Sequence, residues 1–157
     1  MRNARGFNHV DGVTRILVVD DFPPFRGWAS SVLQDEPALL VIAYAADGIE
    51  AVQKAEELRP GLIILDVGLP KLNGMEAARL ILKASPACKI IFLSQECSAD
   101  IVSEAIRLGA SGYVVKAHAA KELLKAIRAV LEGKRYVSKG LPATVYAQGS
   151  STDCESM

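Results

Sequence analysis

Five short runs of consecutive apolar residues punctuate the chain, at 16–19, 39–44, 62–65, 90–93 and 113–115. Each is apolar on successive positions rather than alternate ones, which predicts strands covered on both faces of a sheet. Between the runs the period changes to that of a helix. Phe25, Trp28, Ala29, Val32 and Leu33 form one stripe, and Ile49, Val52, Ala55 and Leu58 a second. Met75, Ala78, Ile81 and Leu82 form a third, and Val102, Ala105 and Ile106 a fourth. Leu123, Leu124, Ile127, Val130 and Leu131 complete the set. Strands alternating with helices predict an α/β fold, a (βα)5 doubly wound parallel sheet sandwiched by helices.

Turn chemistry supports these boundaries. Pro23-Pro24 can open the first helix, where the first amide needs no intrahelical acceptor. Arg59-Pro60-Gly61 stops the second helix and Ser85-Pro86 the third. Residues 1–13 are polar and unpatterned, and residues 133–157 are rich in Gly, Ser and other small residues. The expected organisation is a flexible tail over 1–13, one folded domain over 14–133, and a flexible tail or truncated linker over 134–157.

At 157 residues the chain suits one domain with a substantial core. Its formal net charge of +0 offers no bulk attraction for nucleic acid or anionic lipid, so neither is an expected partner. No apolar stretch reaches the length of a membrane span, and no apolar region follows the early arginines as in a secretory signal. Cys88, Cys97 and Cys154 are an odd set without metal-ligand spacing, and they read as reduced thiols of a cytoplasmic protein.

The candidate chemistry sits where the apolar runs end. The first runs into Asp20-Asp21, the third into Asp66, the fourth into Ser94 and the fifth into Lys116. Ligands of open parallel sheets bind at the carboxyl ends of strands. A lone Asp after a strand is ordinarily a turn residue or helix cap, a lone Lys a solvated one, and a lone Ser a turn residue. Joint placement on four of five strand ends points instead to one site. Three converging carboxylates repel by about 4 kcal/mol per pair at about 4 Å and an effective dielectric of about 20. Such a cluster holds either a proton or a cation, and hard oxygen ligands suit Mg²⁺. A cation and an ammonium beside a carboxylate also permit phosphoryl transfer to that carboxylate, with Asp66 as nucleophile and the Ser94 hydroxyl as a donor.

These residues, with Gly74, Tyr113 and the segment Leu65-Asp66-Val67-Gly68-Leu69-Pro70, resemble the receiver domain of two-component response regulators over about residues 14–133. The resemblance implies a flavodoxin-like fold with strand order 2-1-3-4-5. It implies Asp66 as phosphoacceptor from a sensor histidine kinase. Asp21, Asp66 and the Gly68 carbonyl are the implied Mg²⁺ ligands, with Asp20 acting largely through water. Lys116 pairs with the phosphoryl group, and Ser94 and Tyr113 form the switching pair. Ser94 moves towards the phosphoryl group and the Tyr113 ring turns inward into the vacated space. The implied output is a changed surface over the fourth helix, fifth strand and fifth helix, read by a partner or used for self-dimerisation. Its surface positions fall within 98–108, at Tyr113 and within 121–128. Such a protein is not an enzyme beyond its own phosphoryl transfer and autodephosphorylation.

Departures from the family pattern are visible. Ala117 follows Lys116, where receivers of this kind often carry proline with a cis bond, a form costly without proline. His118 reads as an exposed loop residue, and Trp28 as part of the core. The segment from Gly133 to Ser138 resembles the junction to a helix-turn-helix domain, but the residues beyond it lack the length and patterning for one. A single-domain regulator and the receiver fragment of a transcription factor are equal readings. The rivals are a docking module working without phosphorylation, a haloacid-dehalogenase-type phosphatase and a flavodoxin-like cofactor carrier. Asp66-Val67-Gly68 lacks the second acid of the phosphatase motif, and Asp20-Asp21 would repel a cofactor phosphate. A P-loop ATPase is excluded by the missing GxxxxGK[ST].

Overall fold

The computed structural model describes residues 9–141, residue 11 excepted. The part up to Ile90 forms one unit, with β1 (His9–Val10), β2 (Val13–Val19), α1 (Pro23–Gln34), β3 (Leu39–Ala45), α2 (Gly48–Leu58), β4 (Leu62–Leu65) and α3 (Gly74–Ala84). From Ile91 a second unit holds most of β5 (Lys89–Ser94), then α4 (Ala99–Leu108), β6 (Gly112–Val115), α5 (Ala119–Leu131) and β7 (Tyr136–Val137). All five predicted strands and five predicted helices are present.

In the first unit β2 lies between β3 and β4, both parallel to it. Ile16, Leu17, Val18 and Val19 of β2 and all four residues of β4 are buried, as consecutive apolar runs predict. Each such side chain contributes about 2 kcal/mol relative to leaving it in water. β3 departs from that expectation. Leu40 is 52 % exposed and Tyr44 37 %, because β3 is paired only with β2. The Tyr44 hydroxyl is held at 2.7 Å by Ser30 Oγ. Trp28 is half-buried, its ring 5.1 Å from that of Phe25, so it borders the core rather than filling it.

Local chemistry fixes the helix ends. α1 begins on Pro23 and Pro24, and its N-cap Phe22 makes no side-chain cap. Asp47 caps α2 by accepting from Glu50 N at 2.7 Å, a bond that holds its carboxyl below the usual value, with help from Lys71. Asn73 and Ser98 cap α3 and α4 in the same way. α2 stops at Arg59, which takes the left-handed conformation (φ 49°) before Pro60. α4 stops at Gly109 with φ 114°, where a side chain would be strained.

In the second unit β6 pairs in parallel with β5, Ile91 opposite Gly112 through Ser94 opposite Val115. Its other edge is covered by β7, Gly112 opposite Tyr136 and Tyr113 opposite Val137. The expected tail boundaries are therefore corrected. His9–Val10 pairs antiparallel with Val13 and Thr14, and β7 lies beyond residue 133. Of the two expected tails, residues 1–8, 11 and 142–157 lie outside the described residues. The cysteine reading is corrected as well. Cys88 is free and buried, its thiol pushed up to about 12 by burial. Cys97 is disulfide-bonded.

Candidate functional site

Parallel register builds the acidic end of the first unit. Val19 of β2 lies opposite Leu65 of β4, so the next residues, Asp20 and Asp66, emerge side by side. Both backbones prolong the sheet. Asp66 N donates to Val19 O at 3.1 Å, and Asp20 N to Ala45 O at 3.1 Å. Carboxylate oxygens of Asp20, Asp21 and Asp66 all lie within 4.8 Å of one another. Asp20 and Asp66 are buried (2 % and 8 % exposed) while Asp21 is exposed, which leaves one side of the cluster open to water. Asp20 Oδ1 accepts from Phe22 N at 2.9 Å, and Asp66 Oδ1 from Gly68 N at 3.3 Å.

Two supports of the cluster, one from Arg26 and one from the Gly74 already named, have roles that the sequence does not give. Arg26 Nη1 donates to the Asp20 carbonyl at 2.6 Å and ties the first turn of α1 to the strand tip. Gly74 packs against the backbone of Asp66, so close that a Cβ there would lie 2.0 Å from the Asp66 carbonyl oxygen. Gly74 N donates to Val67 O at 2.7 Å, closing the loop that carries Val67 and Gly68. Gly68 itself is exposed and a Cβ on it would meet nothing within 4 Å. An all-oxygen donor set, two members buried and one facing solvent, fits a small hard cation such as Mg²⁺ that keeps some of its waters. It does not fit zinc.

In the second unit Ser94 and Lys116 end neighbouring strands, since Ser94 lies opposite Val115. Lys116, Ala117 and His118 form a single 3₁₀ turn leading into α5. Among the described residues no peptide bond is cis. His118 is half-buried with a buried Nδ1, not the exposed loop residue expected. Tyr113, expected on the surface, is 0 % exposed. Its ring lies 6.0 Å from that of Phe92, and its hydroxyl donates to the Glu96 carbonyl at 2.6 Å. Glu96 N in turn donates to Ser94 Oγ at 3.1 Å. The serine and tyrosine hydroxyls are thus joined through the backbone of one residue.

The sequence profile of the response regulator receiver domain matches residues 16–128. The chain belongs to the response-regulator receiver family. A protein-glutamate methylesterase/protein-glutamine glutaminase of Thermotoga maritima is 40% identical over 129 residues, which are 75% of this chain and 37% of that protein. The transcriptional regulatory protein DegU of Brevibacillus brevis is 34% identical, over 78% of this chain and 52% of its own. The receiver chain therefore spans about half or less of the length of these relatives. Among solved structures, a LuxR-family two-component response regulator from Aurantimonas is 34% identical, with a TM-score of 0.80 over 86% of this chain and 96% of that one. The receiver fold is the expected flavodoxin-like doubly wound sheet: counting the five predicted strands in sequence, the order 2-1-3-4-5 is β3-β2-β4-β5-β6, with β7 as a sixth parallel strand. Among the described residues no helix is long and apolar enough to cross a membrane.

Proposed function

We propose that this receiver is a phosphorylation-activated switch in which Asp66 accepts a phosphoryl group from a sensor histidine kinase in the cytoplasm. The observation that carries this reading is the convergence of Asp20, Asp21 and Asp66 within 4.8 Å at the tips of paired parallel strands. A carboxylate oxygen of Asp66 forms the new O–P bond as the N–P bond to the kinase histidine breaks. Asp21, Asp66 and the Gly68 carbonyl would hold Mg²⁺, with Asp20 acting through water. When bound, that ion neutralises charge on the phosphoryl oxygens. The Lys116 ammonium pairs with one phosphoryl oxygen, and the Ser94 hydroxyl donates to another. Water later attacks the aspartyl phosphate and restores the carboxylate. No external substrate is turned over.

The switch follows from the Ser94–Glu96–Tyr113 hydrogen bonds. If Ser94 turns to a phosphoryl oxygen, Glu96 N loses its acceptor, and the segment that anchors the Tyr113 hydroxyl must readjust. The Tyr113 ring is already inward, so phosphorylation would select among arrangements of this segment rather than draw the ring in. That is a population shift, whose size is set by differential stabilisation of the two states. The surface of α4, β6 and α5 would present the outcome to an output partner or to a second copy of the chain.

Intact mass after treatment with acetyl phosphate tests the proposal on wild type and Asp66→Asn. One Mg²⁺-dependent phosphoryl addition, lost in the variant, is expected. Equal labelling of Asp66→Asn would move the acceptor elsewhere. An unlabelled wild type that also fails to bind beryllofluoride would favour a docking role without phosphorylation.

A further inference from the structure

β7 is only two residues long, and the way it ends places a buried network beside Lys116. Tyr136 N donates to Ser111 O at 3.2 Å and Ser138 N to Tyr113 O at 2.9 Å. The next strand amide on β6, Val115 N, has no β7 carbonyl in register, because the chain turns after Ser138 with Gly140 at φ 93°. Ser138 Oγ takes the place of that carbonyl and accepts from Val115 N at 2.9 Å. Having accepted there, the hydroxyl donates its one proton to Glu122 Oε1 at 2.5 Å. Glu122 Oε2 accepts from Lys139 N at 3.1 Å. Ser138 is 2 % exposed and Glu122 4 %, so the two bonds of the Ser138 hydroxyl are shielded from water, where an unmade bond is costly.

The network grips the chain on both sides of the Lys116–His118 turn, at Val115 before it and at Glu122, in the first turn of α5, after it. We infer that Ser138 and Glu122 are positioning residues for Lys116: they fix both ends of the short span that carries its ammonium, so the segment after β7 governs how Lys116 meets a phosphoryl group. This inference rests on the reading of Lys116 given above. A role confined to holding β7 in place would leave phosphoryl transfer untouched.

The test follows phosphoryl incorporation from acetyl phosphate into the full chain by intact mass, over a range of Mg²⁺ concentrations. Ser138→Ala is expected to slow incorporation by about tenfold, well within what a small misplacement of a reacting group can cost. Ser138→Thr keeps the hydroxyl and should restore the rate. The Mg²⁺ concentration at half-maximal rate should stay unchanged, since the acidic cluster is untouched. Combining Ser138→Ala with Lys116→Ala should slow the reaction no further than Lys116→Ala alone. A folded Ser138→Ala protein with the wild-type rate overturns the inference, as does a double variant in which the two losses multiply. Should Ser138→Ala fail to fold, Glu122→Gln, which keeps volume and one acceptor oxygen, is held to the same criteria. An unlabelled wild type would instead overturn the reading of Asp66 and Lys116, and the positioning role with it.

Discussion

The acidic cluster of the first unit and Glu122 of the second both remove carboxylates from water, by opposite means. At Glu122 one carboxylate lies among donors of its own chain, the Ser138 hydroxyl and the Lys139 amide. At the strand tips three carboxylates approach one another within 4.8 Å. For the buried pair Asp20 and Asp66 that separation implies a repulsion of at least about 3 kcal/mol at an effective dielectric of about 20. The first arrangement suits a joint of the fold. The second puts like charges together where a joint has no need of them, and that is the mark of a site built for something else.

The largest effect is expected at Gly74, where the Asp66 backbone leaves no room for a Cβ. Gly74→Ala should cost about 3 kcal/mol through overpacking and displace Asp66, while Gly68→Ala should leave stability nearly unchanged. Urea unfolding of the two variants checks this. From the other side, Glu122→Ala removes the acceptor of the buried Ser138 hydroxyl and of the half-buried Lys139 amide and leaves a void, at a cost of about 2–3 kcal/mol. Thermal unfolding should show it as a fall in Tm, with amide exchange fastest at 136–138.

Asp66→Asn should act with the opposite sign. Without divalent cation it relieves like-charge repulsion and should stabilise the protein by about 1–2 kcal/mol. Chelating Mg²⁺ should destabilise wild type but not the variant, and urea unfolding with and without chelator measures both. Equal stability of the two proteins in chelator would mean that the three carboxylates do not strain the fold.

The smallest effect is expected at Tyr136. Its hydroxyl is buried without a hydrogen-bond partner, and burial, then the Glu122 charge, raise its pKa above the ordinary phenol value. A phenol raised on folding leaves stability intact below its unfolded pKa of about 10 and lowers it as pH rises beyond that. Tyr136→Phe should be nearly neutral at pH 7 and should flatten the decline above pH 10, as read from unfolding midpoints against pH.

Most of the fold was legible because buried parallel strands and amphipathic helices write their periods into the sequence. β4 falls at the predicted 62–65, and the run 113–115 lies within β6. β1 and β7 were not legible, since two residues make no run, and Ser138 in a Gly- and Ser-rich stretch looks like linker. Its role depends on Glu122, sixteen residues earlier, which reads as the solvated acid of a helix first turn. The acidic cluster was legible in its residues, and the structure adds the register that brings Asp20 and Asp66 together. The roles of its supports Arg26 and Gly74 were not, because the Arg26 guanidinium and the missing Cβ of Gly74 meet the main chain of Asp20 and Asp66, which no side-chain pattern announces. The caps at Asp47 and Asn73 did leave a signal, an acid three residues on in each case, at Glu50 and Glu76.

The strand β7 also decides where this domain can be cut. A fragment ending at Gly133, where composition changes, would lose Ser138 and Lys139 in one stroke. The Tyr113 carbonyl and the Val115 amide would then face outward on a bare strand edge, the kind of surface on which chains stack and aggregate. A fragment carried through Leu141 keeps that edge sealed.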